Sequence, residues 1–201
     1  MKFWKKISVV FVIAIAIFLF QGTISTSSAQ AATYKFTFTG EKANGYFIYD
    51  TAAKGETKSP YMTQYYGGGR DYKVDLGDKG LFQGTVSNAI VFLPREEDKV
   101  LAKIRAQHDK QYGKDDEHNV LLPADLFLLQ VRNFERQPKS SYSLVSYFKY
   151  PQETFNGSTR LPTEVPLNAE IEVFPKVDFP KTLGKALVKA PVQTKIEKIS
   201  D

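Results

Sequence analysis

From Thr33 the chain alternates apolar and polar positions with a period of two. Tyr34, Phe36 and Phe38 fall on one face and Lys35, Thr37 and Thr39 on the other, which predicts a half-buried strand. Asn44-Gly45 supplies residues that tolerate positive φ. The stretch Tyr46-Phe47-Ile48-Tyr49 follows at once, so the two segments read as a hairpin whose second strand is covered on both sides. Residues 50–70 break the rhythm with Lys54-Gly55, Ser59-Pro60 and Gly67-Gly68-Gly69, and are expected to form a long loop. Alternation returns at Tyr72, Val74 and Leu76, passes a Gly77-Asp78-Lys79-Gly80 turn, and continues through Leu81–Val86 and Ala89–Leu93.

Residues 95–112 differ in kind. They are rich in Lys, Glu, Ala and Gln, and Val100, Leu101 and Ile104 form a narrow apolar stripe, so one surface helix is expected there. Pro94 and Pro123 bracket this insertion, and a charged loop closes it near residue 118. Strands resume at Leu126–Phe134, apolar on both faces, then at Tyr142–Tyr150 and Ala169–Val173, with a proline-bearing loop between the last two. Strands separated by turn chemistry, with a single helix and no internal repeat, predict an all-β fold, either an antiparallel β-sandwich or a jelly roll.

The two ends of the chain are organised differently. Lys2, Lys5 and Lys6 precede an apolar run from Ile7 to Phe20, and a polar stretch then ends in Ala29-Gln30-Ala31. This reads as a secretory signal peptide over residues 1–31, cleaved after Ala31, on a secreted or envelope protein with no stable membrane span after cleavage. The β domain is expected over residues 32–180. Residues 181–201, with five lysines against Glu197 and Asp201, are expected as a flexible Lys-rich tail.

Composition narrows the chemistry. Of 201 residues, 42% are hydrophobic and 13% aromatic, which suits a globular domain. The absence of cysteine excludes disulfides, thiol nucleophiles and cysteine metal sites. Removing the three leader lysines from 27 basic residues leaves 24 against 22 acidic ones, so the formal charge falls from +5 to +2 and nucleic acid is not an expected partner.

Tyr34-Lys35-Phe36-Thr37-Phe38-Thr39-Gly40, Gly45-Tyr46-Phe47-Ile48-Tyr49-Asp50-Thr51, Phe82-Gln83-Gly84-Thr85 and Asp125-Leu126-Phe127-Leu128-Leu129 together resemble bacterial secreted proteins of the PEP-CTERM-associated type. That resemblance implies an exported β-sandwich and no particular chemistry. The chain departs from the type in having no Pro-Glu-Pro motif and no C-terminal hydrophobic helix.

No catalytic motif is recognisable, and no cofactor is implied. A histidine base would have to be His108 or His118, the latter beside Asp115, Asp116 and Glu117 in what reads as a solvated loop. Asp71, Asp75 and Asp78 fit no EF-hand spacing, and Gly67-Gly68-Gly69-Arg70 lacks the ending of a phosphate loop. Asn156-Gly157-Ser158 reads as a turn. The aromatic content of residues 50–70 stands out. Tyr61, Tyr65 and Tyr66 with Arg70 offer flat rings, hydroxyls and a cation, the groups that stack on sugar rings and hydrogen-bond to them; the other reading is a lid packed on the sheet. The expected function is an exported, non-enzymatic module that binds surface polysaccharide or another extracellular polymer through these residues. A secreted hydrolase or a self-associating structural protein are the alternatives.

Overall fold

A computed structural model describes residues 32–85, 87–112, 124–131, 142–177 and 186–200. The expected signal peptide and the acidic loop around His118 lie outside them. Ten strands are present: β1 (Thr33–Thr39), β2 (Asn44–Asp50), β3 (Gly55–Ser59), β4 (Met62–Asp75), β5 (Leu81–Gly84), β6 (Ser87–Phe92), β7 (Asp125–Val131), β8 (Tyr142–Tyr150), β9 (Asn168–Val177) and β10 (Val188–Ser200). Among the described residues one α-helix, α1 (Lys99–Tyr112), lies between β6 and β7.

The strands close into an eight-stranded antiparallel barrel in the order β1-β2-β4-β6-β7-β8-β9-β10, with β10 returning to β1. The all-β expectation holds, and the sandwich or jelly roll gives way to a closed barrel. Closure rests on two pairings, β2 with β4 and β10 with β1, which join what two separate sheets would leave as edges. β4 is longer than its neighbours, and the short strands complete its sides. Gly55 of β3 pairs with Tyr65 below the point where Tyr49 of β2 meets Gly69, and Gly84 of β5 pairs with Tyr72 beyond the point where Ser87 of β6 meets Gly69.

Two expectations are corrected here. Residues 50–70 are not a long loop, because β3 and the first part of β4 occupy most of it. Main-chain pairing with β3 and β6 satisfies the backbone of residues 62–65, and Gly69 pairs with β2 and β6. Nor are residues 188–200 a flexible tail. Val188, Ala190, Val192 and Thr194 of β10 alternate inward and are buried, so this segment closes the barrel within the unit Ala31–Asp201. Lys189 and Lys195 belong to the outward half of that alternation.

The barrel interior is solid where its aromatic residues meet. Phe36 sits 4.7 Å from Phe148, 4.9 Å from Phe47 and 5.4 Å from Phe127, ring centre to ring centre, and all four are fully buried. Tilted and edge-on pairs of this kind add about 0.5–1.5 kcal/mol each beyond their burial. Across the wall, β2 is covered on one side only: Phe47 and Tyr49 are buried, whereas Tyr46 and Ile48 are half-buried on the outside. The outer wall of β6–β9 is apolar instead. Ile90, Phe92, Leu126, Leu128, Tyr147 and Phe174 form a second buried cluster with Leu101 of α1. The helix starts at Lys99 rather than Arg95, because the Asp98 carboxylate accepts the Val100 N–H at 2.9 Å and caps the first turn.

Candidate functional site

The four residues expected to form one binding loop are divided by the geometry of β4. Tyr65 points into the barrel, only 7% exposed, and its hydroxyl donates to the Thr159 carbonyl at 2.9 Å; burial pushes its pKa up. Tyr66, the next residue, points outward and is 49% exposed. This is the period-two rule acting on one dipeptide. Tyr61 lies before the strand, packs against the interior cluster and donates its hydroxyl to Glu97 at 2.7 Å, a bond that raises the tyrosine pKa and lowers that of the carboxylate.

Tyr66 and Arg70 share the outer wall, separated by a bulge. The register slips between Tyr65 and Gly69 on the β6 side and between Ile48 and Tyr49 on the β2 side. Gly67 takes φ +63°, and a Cβ on Gly69 would lie 1.7 Å from the Ser87 Oγ, so both positions need glycine. Around the bulge the Lys58 ammonium stands 5.4 Å from the centre of the Tyr66 ring, and Arg70 is held by Asp50 at 2.7 Å. A flat aromatic ring with an ammonium over it can stack on a sugar and donate hydrogen bonds to its hydroxyl or carboxylate oxygens. Lys58 and Asp50 carry no signal in the sequence, since they reach Tyr66 and Arg70 only through the pairing of β3 and β2 with β4.

One end of the barrel is plugged. The β8–β9 connection, residues 151–167, crosses it. Tyr49 donates to the Pro162 carbonyl, Tyr65 to that of Thr159, and Tyr150 to the Thr194 hydroxyl at 3.2 Å, which in turn donates to the Pro166 carbonyl at 2.7 Å. Asp125, fully buried, accepts the Phe155 N–H at 3.0 Å and pairs with Arg95 at 3.2 Å, and Arg95 reaches Glu153 at 3.1 Å. The turn expected at Asn156-Gly157 belongs to this plug, with φ of +50° and +71°.

The opposite end is lined by smaller side chains. The paired row Leu129, Ser146, Val173, Val188 and the row Ser87, Val131, Leu144 carry no aromatic residue. The Ser87 and Ser146 hydroxyls are buried and lack a hydrogen-bond partner among the described residues. Of the three aspartates considered for calcium, Asp71 accepts the Tyr46 hydroxyl at 3.1 Å and Asp75 accepts the Gly77 N–H at 3.0 Å. Among the described residues, no three His, Cys, Asp or Glu side chains come together to hold a metal ion. Compared with known proteins, the chain matches no family model, no curated protein and no solved structure, so its reading rests on this geometry.

Proposed function

We propose that this chain is an exported, non-enzymatic β-barrel module that binds an extracellular polysaccharide on its outer wall beside the glycine bulge. The observation that carries the reading is the half-exposed Tyr66 ring, set at the bulge of β4 with the Lys58 ammonium over it and Arg70 exposed on the same strand. A ring on a strand is held in place before a ligand arrives, so little ordering entropy is lost on binding. The leader over residues 1–31 and the resemblance to exported bacterial proteins support the address.

The test is retention of the full chain, with its leader removed by the secreting cell, on a panel of insoluble and soluble surface polysaccharides at low and physiological salt. Retention that survives physiological salt and is lost in Tyr66→Ala is expected, with Tyr65→Phe binding as the parent does. Retention unaffected by Tyr66→Ala, or abolished by salt alone, would place the interaction in general charge and remove the aromatic site.

A further inference from the structure

The stagger of the closing strands leaves a notch in the barrel wall at the end opposite the plug. β1 pairs with Gln193–Ser200 of β10, whereas β9 pairs with Val188–Gln193. Among the described residues, Val188–Val192 therefore have a strand on one side and none on the other. A cavity of about 370 Å³ lies by the start of this stretch, between β10, the β1–β2 turn and the 3₁₀ turn Gly77–Lys79.

Its lining has two layers. Leu76 and Val188, both buried, and the half-buried Leu187 form an apolar floor. The rim carries Glu41 and Lys42 from one turn, Asp78 and Lys79 from the other, and Lys189 from β10. Lys189 is already engaged, at 3.1 Å from Glu172 and 3.7 Å from Glu170. The other four are exposed and make no ion pair or side-chain hydrogen bond among the described residues. Two free cations and two free anions thus ring an apolar floor.

We infer that this notch binds a short apolar peptide with free termini. The volume lies at the lower end of small-molecule sites, which run from about 300 to 1,000 Å³. Equal numbers of free charges of both signs complement a zwitterion better than an anion or a cation, and the floor takes its side chains. The site is separate from the Tyr66 wall, so the two readings stand or fall independently.

The experiment titrates the full chain with Leu-Leu dipeptide, N-acetyl-Leu-Leu amide and Gly-Gly by calorimetry. Saturable binding of Leu-Leu is expected, weakened roughly fivefold or more when both termini are blocked or both side chains removed. The paired variants Lys42→Gln with Lys79→Gln, and Glu41→Gln with Asp78→Asn, alter exposed turn residues and are expected to weaken it to a similar extent, while Tyr66→Ala leaves it unchanged. Failure of Leu-Leu to saturate, equal binding of the blocked peptide, or full binding by both paired variants would each overturn the inference.

Discussion

At the plugged end of the barrel, the hydroxyls of Tyr49, Tyr65 and Tyr150 each have an acceptor, and the buried Asp125 has a guanidinium and a backbone N–H. At the other end, Ser87 and Ser146 are as deeply buried but have no partner among the described residues, and four rim charges stand unpaired beside a cavity. The same strands run through both ends, and two things set the ends apart: the stagger of β10, which leaves the notch, and side-chain size. Where Phe and Tyr fill the interior, a loop has been drawn across and its carbonyls take up the hydroxyl protons. Where Val, Ala, Ser and Leu line it, space and unused polar groups remain. The plugged end is finished structure, and the notched end is where a guest has room.

The contrast can be broken most severely at Asp125. Asp125→Ala leaves Arg95 without its buried partner and Phe155 N–H without an acceptor, and should cost about 3–5 kcal/mol in urea unfolding. A loss below about 1 kcal/mol would show that the plug does not depend on this pair.

Alkali tests the same end through its tyrosines. Burial raises the pKa values of Tyr49 and Tyr150 above the ordinary 10.0, and that of Tyr147 on the apolar outer wall likewise. The folded state therefore keeps protons that the unfolded chain releases. Stability should be intact below pH 10 and then fall by about 1.4 kcal/mol per pH unit for each such tyrosine. Absorbance of tyrosinate followed beside circular dichroism checks this. Ionisation of these rings well before loss of the fold would contradict their burial.

Smaller effects sharpen the comparison. Tyr65→Phe removes one hydroxyl from the plug and should cost about 1 kcal/mol, with faster proteolysis within residues 151–167. Ser146→Ala removes a hydroxyl that already lacks a partner, so thermal unfolding should shift little or rise by up to about 1 kcal/mol. A clear loss there would mean that the hydroxyl is satisfied in solution. Tyr66→Ala on the outer wall should change stability by less than about 0.5 kcal/mol, which makes its effect on polysaccharide retention readable as binding.

Much of the fold was legible in local pattern. Alternation located β1 and apolar runs bounded by turn residues located β2, β6 and β8 closely, and the Lys- and Glu-rich composition after Pro94 located the helix. The segments that escaped share a physical cause. Gly67-Gly68-Gly69 reads as loop because glycine has weak strand preference, yet β2 and β6 pair with Gly69 on either side and the Gly67 N–H donates to the Asn88 side chain. Residues 188–200 read as tail because the outward lysines and Pro191 hide an inward file of Val, Ala, Val and Thr. The candidate site was half legible: the residue types were recognised, but Tyr65 and Tyr66 are neighbours in sequence and lie on opposite sides of the wall.

By itself the sequence determined the secondary-structure class, the positions of most strands and, where period-two alternation is clean as in β1, which residues avoid water. Only the tertiary structure decided that the strands close into a barrel, that a loop plugs one end, and that the stagger of β10 leaves a notch at the other. The reason is the range of the information. Alternation records whether a side chain is dry, which depends on its own strand, whereas closure and stagger depend on the register between strands distant in sequence, Thr39 against Gln193 above all.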